Sequence, residues 1–425
     1  MMRILHITPD YYPAIGGAEV FIKEASERLV RRGHDVTVLA MNSRGLCARD
    51  GSALPAQEVA NGVTVRRLNN TYRMHERLLN VRGAHRLLSL LVSGDGRRML
   101  SASPCSPRAF LRTLRADTDV VAFINWYHGP LAYQTVLARR LRNFALVGIP
   151  LFHTEYWWAH SPLTARMLAG CDAVVAMTDY EKRFVEERSG RSHAHAVGAG
   201  VDPSLFTAAD GARFRRQHGL RDVPLVGYIG RISAIKGVTT LIAAMRTVWR
   251  HDPSVRLLLA GSGLPDRGQC ETEILASFAD LSSEERARLL LIDSFDDELK
   301  ASMMDALDVF AMPSVAESFG MVYLEAWMRR KPVIGAGIPS TKCVIQPGRD
   351  GLLVAPESPD DLADAIRLLL SDPEMRIRMG QAGYDKTIGS FTWDHVIDRL
   401  EEVYRGARRH AAATSRQLAA PSPAA

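Results

Sequence analysis

Two carboxylates, Glu317 and Glu325, lie eight residues apart around a glycine-centred turn. The apolar run Val309–Ser314 before them ends in a proline stop and predicts a buried strand, and a helix is expected to begin near Met321. A strand, a glycine turn and a helix N-terminus form a layout that binds an anion. We expect the acids to be free to accept hydrogen bonds from hydroxyl groups beside that anion, as in a sugar nucleotide. The helix dipole alone would favour one early glutamate, but it explains the turn and the second acid poorly.

Two cations lie in the loop Gly230–Gly237, which follows a predicted strand and precedes a predicted helix. Arg231 and Lys236 would project from the carboxyl end of that strand, where open α/β sheets bind their ligands. An arginine fork and a lysine point charge suit a diphosphate and would stabilise it as a leaving group. The alternative is that both are solvated cations flanking a turn.

The first half of the chain offers weaker signals at the ends of its predicted strands. Gly16 and Gly17 follow the first strand, and a glycine pair allows a ligand to approach the backbone but is also common in turns. His128 and His153 each follow a later strand, where a histidine can contact a reacting sugar or form hydrogen bonds within its loop. We favour His153, because it ends the more continuous apolar strand.

No metal site is expected from the sequence. Asp117 and Asp119 form a DxD pattern, which is associated with metal-dependent sugar transfer, but they precede a predicted strand, at the end opposite to ligand binding. We interpret them as loop-capping residues, and Asp296 with Asp297 as a helix N-cap cluster. The five cysteines lack metal-type spacing and favour a reduced, cytoplasmic setting, and no signal-peptide pattern or bilayer-length apolar run is recognised.

The length of 425 residues and the order of the predicted elements indicate two α/β domains with doubly wound parallel sheets. We predict an N-terminal domain over residues 1–203, a C-terminal domain over 204–390, a closing helix over 391–409 and a disordered tail over 410–425. The link between the domains is expected near Gly198–Phe206. The strands that carry the loops above are predicted at Arg3–Thr8, Val120–Ile124, Leu146–Phe152, Pro224–Ile229, Val255–Ala260 and Asp308–Met312.

Together these motifs resemble the retaining glycosyltransferases of family four, which have the GT-B fold. The resemblance covers most of the chain, and the order and spacing of the motifs are specific although each motif alone is weak. It rests on Gly16–Glu19, Arg28–Val38, His153, Gly200–Asp202 with Phe206, Gly230–Arg231 with Lys236–Gly237, Gly261–Gly263, Pro313–Ser314, Glu317–Gly320 with Glu325–Ala326, Lys331–Val333 and Gly351–Val354.

The resemblance implies two Rossmann-like domains facing across a cleft, with a nucleotide-diphosphate-sugar donor, a UDP- or GDP-sugar, held mainly by the C-terminal domain. It implies that Arg231 and Lys236 stabilise the leaving diphosphate. It also implies that Glu317 holds hydroxyls of the donor sugar and that Glu325 accepts hydrogen bonds from the ribose. His153 would contact the transferred sugar on its 6-hydroxyl side.

The resemblance also implies a hexosyl transfer with retention of configuration, without a cofactor or an essential metal. In this family the acceptor lies on the first domain, where we assign Asp10 and His128 to it. The remaining donor-binding residues are expected to be Gly16, Gly17, Gly261, Phe319, Gly320, Met321 and Val322. The stretch Ala336–Lys342 departs from the family pattern, because Pro339, Ser340 and Lys342 replace small and acidic residues, and this leaves the sugar and base preference open.

The acceptor is left open between a sugar, a natural product and a lipid-linked glycan. Residues 66–115 hold eleven arginines and two acids, a local charge of +9 in a chain of net charge +6. Within this patch, residues 73–92 can form a basic amphipathic helix that lies on an anionic membrane, or a surface helix packed on its own sheet. A cytoplasmic protein, alone or peripheral to the membrane, is expected, and nucleic acid is not an expected partner.

Two alternative functions stay open beside sugar transfer. One is a catalytically silent GT-B protein that binds a glycan or a partner, although such a protein would be expected to lose one of the cations or acids that this chain retains. The other is a sugar-nucleotide epimerase or a phosphorylase on the same architecture. A phosphorylase of that type would need a lysine-bound pyridoxal phosphate, for which no sequence feature argues.

Overall fold

The computed structural model describes residues 1–14, 16–41, 54–68, 106–125, 129–265 and 270–419. The chain divides into two compact units. Unit 1 comprises Met1–Gly198 with Val396–Ala425, and unit 2 comprises Ala199–His395. The first division lies within the predicted linker but before the predicted boundary at residue 203, and the second lies inside the C-terminal helix.

Unit 1 contains a sheet of eight strands among its described residues, in the order β3-β4-β2-β1-β5-β6-β7-β8. All pairings are parallel except that of the edge strand β3 with β4. The strands are β1 (Arg3–Thr8), β2 (Asp35–Met41), β3 (Gln57–Ala60), β4 (Val63–Leu68), β5 (Val120–Ile124), β6 (Ala145–Ile149), β7 (Ala173–Ala176) and β8 (Ala194–Ala196). Helices between them are α1 (Gly17–Arg31), α2 (Pro107–Arg115), α3 (Gly129–Leu141), α4 (Pro162–Ala169) and α5 (Asp179–Ser189).

The central strands of unit 1 are apolar along their whole length because helices cover both faces of a parallel sheet. Every residue of β5, β6 and β7 is buried, whereas β3 alternates between exposed and half-buried residues at the edge. The predicted strand Leu146–Phe152 ends earlier, at Ile149, because Pro150 follows and Leu151 adopts a positive φ of 53°. The loop after β6 therefore begins before His153.

Unit 2 contains a six-stranded, wholly parallel sheet in the order β11-β10-β9-β12-β13-β14 among the residues described. Its strands are β9 (Leu225–Ile229), β10 (Arg256–Ala260), β11 (Leu289–Ile292), β12 (Val309–Met312), β13 (Val333–Ala336) and β14 (Gly351–Val354). Its helices are α6 (Gly211–Gln217), α7 (Val238–His251), α8 (Thr272–Ala279), α9 (Ser283–Arg286), α10 (Asp297–Ala306), α11 (Met321–Met328), α12 (Pro339–Val344), α13 (Pro359–Ser371) and α14 (Pro373–Ser390).

The strand order of unit 2 reverses between β9 and β12, which are neighbours in the sheet. From β9 the chain proceeds to β10 on one side, and it returns to β12 on the other side. The loops after these two strands therefore diverge and leave a crevice at their carboxyl ends, where doubly wound sheets bind ligands. The loop after β9 carries Arg231 and Lys236, and the loop after β12 carries Glu317.

The C-terminal helix α15 (Trp393–Ala419) is longer than predicted. We predicted disorder from residue 410, which is wrong for residues 410–419, because the alanines after His410 are strong helix formers that continue the helix. Residues 420–425 lie outside the described part of the chain. The buried face of α15 includes Val396, Leu400 and Val403, as its periodicity predicts.

Hydrogen bonds join α15 to the residues that follow α1 in unit 1. The His34 ring, through Nδ1, accepts a hydrogen bond from the Met2 amide, so its other nitrogen donates to the Glu401 carboxylate. Arg32 also donates to Glu401, at 3.0 Å. Of the helices in the described ranges, none combines the length and the apolar character needed to cross a bilayer.

Candidate active site

A direct ion pair joins two of the predicted site residues at the crevice of unit 2. Lys236 ends a short 3-10 helix (Ala234–Lys236) after β9, and its Nζ atom donates to Glu317 Oε1 at 2.6 Å. The hydroxyl of Ser314 donates to the same carboxylate oxygen at 3.2 Å. The reversal of strand order between β9 and β12 is what brings this cation and this acid together, although they are far apart in sequence.

Two glycines let the loops of this crevice touch. Gly237 has a φ of +78°, and a Cβ atom there would collide with the carbonyl oxygen of Pro313. Gly261, just after β10, has a φ of +145°, and its Cβ atom would collide with the carbonyl oxygen of Gly230. Gly261 therefore supports the loop that carries Arg231 by allowing close backbone approach.

The N-terminus of α11 points its amides toward the same end of the sheet. Gly320 is the N-cap in the left-handed conformation (φ 88°, ψ 57°). The amides of Met321 and Val322 lie in the first turn, where a helix offers no internal acceptor, so they suit an anion. The side chain of Phe319 is buried and packs edge-on against Phe391 with 5.6 Å between ring centroids, which leaves only its backbone to face a ligand.

The second acid, Glu325, lies inside α11 and also contacts a lysine. Lys300 of α10 donates from Nζ to Glu325 Oε1 at 2.9 Å, and the same ammonium lies 3.5 Å from Asp297 Oδ1. Burial by itself lowers the pKa of Lys300, but the two carboxylates outweigh burial and raise this pKa above its usual value. Each of these carboxylates, Glu317 and Glu325, therefore already holds one ammonium group through its Oε1 atom, and a carboxylate with one such contact can still accept further hydrogen bonds.

Arg231 is exposed at the rim of this crevice, directly after β9 and Gly230. A hydrogen bond fixes the backbone of Arg231, because the buried Tyr228 hydroxyl donates to the Arg231 carbonyl. Burial, and next the charge of Glu317, raise the pKa of Tyr228 well above its usual value, so this hydroxyl keeps its proton. The guanidinium of Arg231 makes no ion pair with any other residue in the described ranges.

In unit 1, helix α1 begins at Gly17, with Gly16 as its N-cap in extended conformation (φ −177°). The first amides of this 15-residue helix face the loop after β1. A Cβ atom on Gly16 would meet the carboxylate of Glu19, so the glycine leaves that side chain room to fold back. The structure thus supplies a second helix N-terminus at the carboxyl end of a parallel sheet, a position that suits an anion.

His153 lies in the loop after β6, where its ring is 5.9 Å from the ring of Tyr156 between centroids. A buried carboxylate holds this loop. Glu181 of α5 accepts from the amide of Phe152 at 2.8 Å and, through its other oxygen, from the amide of Met177 at 2.6 Å. Glu181 therefore ties the ends of β6 and β7 together beside His153.

Other sequence predictions are placed as follows. Asp10 follows β1, where its carbonyl accepts from the Thr8 hydroxyl at 2.8 Å. Asp119 accepts from the Arg3 amide at 2.8 Å and Asp117 forms an ion pair with the Arg3 side chain, at the amino end of the sheet. His128 and residues 73–92 lie outside the described residues. No cluster of His, Cys, Asp and Glu with metal-binding geometry occurs within the described ranges.

Two helix predictions near the site have clear outcomes. The Asp296 side chain accepts from the Leu299 amide at 2.8 Å, which confirms its role as the N-cap of α10. The stretch Ala336–Lys342, which departs from the family pattern, is partly helical, because α12 begins at Pro339. Proline is favoured in the first turn of a helix, and this signal was present in the sequence.

Three residues of the site region were not singled out from the sequence: Ser314, Lys300 and Glu181. Ser314 directly follows the proline stop, so its neighbourhood was recognised although its bond to Glu317 was not. Lys300 lies three residues after its own N-cap pair and would be read as an ordinary first-turn cation. Glu181 follows Thr178 by three residues, a capping-box spacing, but its carboxylate instead reaches two strand ends.

The two doubly wound sheets define an α/β fold class with two parallel-sheet units, and comparison with known families gives the family. The model of glycosyl transferases group 1 matches residues 210–386, and that of Glycosyltransferase Family 4 matches residues 15–205. A D-inositol 3-phosphate glycosyltransferase of Kribbella flavida is 30% identical over 451 residues, which cover 97% of this chain and 96% of that protein. The chain belongs to the family 4, group 1 glycosyltransferases, and it is a glycosyltransferase enzyme.

Solved structures confirm the GT-B fold. Sucrose-phosphate synthase from Thermosynechococcus elongatus superposes with a TM-score of 0.72 at 21% identity, covering 95% of this chain and 98% of that one. Anabaena Alr3699/HepE in complex with UDP and glucose also gives a TM-score of 0.72, at 19% identity, covering 95% and 99%. At these identities the likeness concerns the fold alone.

Proposed function

We propose that this glycosyltransferase takes its sugar from a nucleoside-diphosphate sugar that binds at the carboxyl ends of β9 and β12 in unit 2. The observation that carries the proposal is the Lys236–Glu317 ion pair at the strand reversal, with the exposed Arg231 on the same loop as Lys236. Two cations suit a diphosphate, and a carboxylate beside them suits the hydroxyls of the attached sugar.

The chemical step would break the bond between the anomeric carbon of the sugar and the diphosphate through an oxocarbenium-like state. A bond would form from that carbon to an acceptor hydroxyl oxygen, and the hydroxyl proton would pass to the leaving diphosphate. Arg231 and Lys236 would stabilise the negative charge that grows on the leaving diphosphate, and the first amides of α11 would add to this stabilisation. Glu317 would orient the sugar hydroxyls, and Glu325 would hold those of the ribose. Because these cations stabilise the leaving diphosphate, we propose a reaction that needs no metal. We also propose that the configuration of the sugar is retained, as in the family that the motifs resemble.

In unit 1 we propose that the backbone at Gly16 and Gly17 approaches a donor phosphate and that His153 contacts the transferred sugar. The α1 N-terminus supports the first role, because its amides suit an anion. The hydrogen bonds from the Phe152 and Met177 amides to Glu181 support the role of His153, because they fix the backbone next to His153. Asp10 remains a proposed acceptor contact.

The donor base and the acceptor can be proposed from the relatives. UDP is the first nucleotide to test, since the Anabaena protein was solved with UDP and glucose. An inositol phosphate is the first acceptor to test, since the Kribbella relative is named for D-inositol 3-phosphate. The arginine-rich composition of residues 66–115 suits an anionic acceptor of this kind. Of these arginines, Arg67 is buried in an ion pair with Glu58, and Arg66, Arg112 and Arg115 line a pocket with Asp117, so the acceptor role is proposed for the others.

The deciding experiment is calorimetry of the full chain with UDP, GDP and ADP. We expect one of them to bind, and Lys236→Ala to weaken that binding by about tenfold or more, the loss of a charged hydrogen bond. Asp117→Ala is the control, because Asp117 lies at the opposite end of a sheet, and we expect it to leave turnover and insensitivity to EDTA unchanged. If none of the three nucleotides binds at millimolar concentration, the proposal is wrong.

A further inference from the structure

Lys300 is a partly buried cation that the proposed mechanism does not use. It projects from α10, the helix that follows β11, and its Nζ atom lies 2.9 Å from Glu325 Oε1 and 3.5 Å from Asp297 Oδ1. About one fifth of its side chain is exposed, 19%, and the value for Glu325 is similar at 21%. The pair is therefore shielded from most of the solvent, but it can still be reached by a ligand.

The geometry of the pair leaves half of the carboxylate available. A carboxylate has two oxygens and about four lone-pair positions in all. Lys300 contacts Oε1, which fixes the side-chain rotamer of Glu325, and Oε2 keeps its capacity to accept. A pair of neighbouring hydroxyl groups, such as the 2′- and 3′-hydroxyls of a ribose, matches an acceptor that is oriented in this way.

The ion pair is not required to join the two helices. Arg329, directly after α11, donates from Nε and Nη2 to Asp305 of α10 at 3.0 and 2.7 Å. This forked pair already links α10 to the end of α11. The Lys300–Glu325 pair lies one turn inside α11, nearer to the N-terminus at which we propose that the diphosphate binds.

We propose that Lys300 is a positioning residue that sets the enzyme's selectivity for ribonucleotides over 2′-deoxyribonucleotides by holding Glu325 in the orientation that accepts the ribose hydroxyls. The inference rests on the proposed donor role of Glu325. Lys300 itself does not contact the reacting atoms, and it acts through the carboxylate.

The test compares the dissociation constants of UDP and 2′-deoxy-UDP by calorimetry, with the corresponding GDP and ADP pairs in parallel. The proteins are the wild-type chain, Lys300→Met, Lys300→Arg and the matched control Arg329→Met, which removes the other α10–α11 ion pair. Wild type should bind the ribonucleotide about tenfold more tightly than its deoxy analogue, as expected for one hydrogen bond to a charged group. Lys300→Met should reduce that ratio to about twofold or less by weakening the ribonucleotide alone.

Lys300→Arg should recover most of the selectivity, because it keeps the charge, and Arg329→Met should keep all of it even where it lowers the melting temperature. Three results would overturn the inference: a wild-type protein without ribose selectivity, a Lys300→Met protein that keeps it, or equal weakening of both nucleotides. A wild-type protein that binds none of UDP, GDP and ADP would overturn the proposed donor site as well, so the two failures are distinguishable.

Discussion

The ammonium of Lys236 and the carboxylate of Glu317 are in direct contact at 2.6 Å, and the Ser314 hydroxyl shares the same carboxylate oxygen. In this state the cation and the acid neutralise each other at the end of the sheet. A diphosphate would compete with Glu317 for Lys236, and sugar hydroxyls would compete with Lys236 for Glu317. The two residues are therefore expected to act as a coupled unit and not as independent contacts.

A double-mutant cycle tests this coupling. We expect Lys236→Ala and Glu317→Gln each to lower kcat/KM strongly, and the double variant to lose less than the sum of both. The expected coupling energy is about 1–2 kcal/mol, since residues in one hydrogen-bonded network are non-additive. Steady-state hydrolysis of nucleotide sugars without an acceptor, with the base chosen by calorimetry, gives all four values. Losses that add within about 0.5 kcal/mol would show that the two residues act separately.

A methyl group at Gly261 should disrupt the loop of Arg231. Gly261→Ala would place a Cβ atom against the Gly230 carbonyl at a backbone conformation that L-residues rarely adopt. We expect a loss of at least about 2 kcal/mol in unfolding free energy, together with weaker nucleotide binding. The matched control is Gly389→Ala in α14, where no atom lies within 4 Å of the added carbon and the helix should gain up to about 1 kcal/mol. Denaturant unfolding of both variants checks this, and equal effects would contradict the steric argument.

The sequence predicts the parts of the site that depend on local order along the chain. Strands β1 and β5 were predicted to the residue, and α11, which was expected to begin near Met321, begins at that residue. These predictions succeed because apolar runs, proline stops and glycine turns act within a few residues. The neighbourhood of Lys236 and Glu317 also follows, because consecutive βα units place all their loops at one end of a parallel sheet.

Contacts that depend on tertiary packing were not predicted. The partner of Glu325 lies on another helix, and nothing in the sequence near Lys300 indicates which acid it meets. Strands β3, β4, β8 and β14 were missed as strands. Strands β3 and β8 lie at the two edges of their sheet and include exposed residues, and Arg66 with Arg67 interrupts the apolar pattern of β4, so none of these three carries a continuous apolar run. The C-terminal helix was predicted too short, because a composition rich in alanine was given less weight than its serines and prolines.

The carboxylate of Glu401 should make unit 1 sensitive to acid. Burial alone would raise the pKa of Glu401, but hydrogen bonds from His34 and Arg32 outweigh it, so the pKa is lowered. A lowered folded-state pKa stabilises the fold above the ordinary glutamate value of about 4.3, and this contribution is lost as the pH falls through the folded-state value. We expect Glu401→Gln to cost about 1–3 kcal/mol at pH 7 and less at pH 3–4.

Urea unfolding of the full chain at these two pH values measures the effect of Glu401→Gln. Glu402→Gln is the control, because Glu402 is the exposed neighbour on α15. It should change stability by no more than about 0.5 kcal/mol at either pH. A Glu401→Gln penalty that stays constant between pH 7 and pH 3 would mean that the carboxylate is not stabilised by its charge.

The buried Glu181 should give the opposite pH dependence. Burial raises its pKa to about 7, although the amides of Met177 and Phe152 oppose this shift. Between about pH 4.3 and pH 7 the folded chain therefore keeps a proton that the unfolded chain releases, and the contribution of Glu181 to stability falls as the pH rises through that window. Glutamine at this position does not titrate, so Glu181→Gln removes the dependence.

The quantity to follow is the unfolding free energy of wild type minus that of Glu181→Gln. We expect this difference to decrease by on the order of 3 kcal/mol from pH 4.5 to pH 7.5, because one pKa unit corresponds to about 1.4 kcal/mol. Glu187→Gln, an exposed position on the same helix α5, is the matched control and should show a pH-independent difference close to zero. Chemical unfolding at four pH values provides the curve. If the difference in unfolding free energy between wild type and Glu181→Gln is the same at every pH, the Glu181 carboxyl does not hold a proton near neutrality. The two strand ends beside His153 would then be joined by a permanently ionised group.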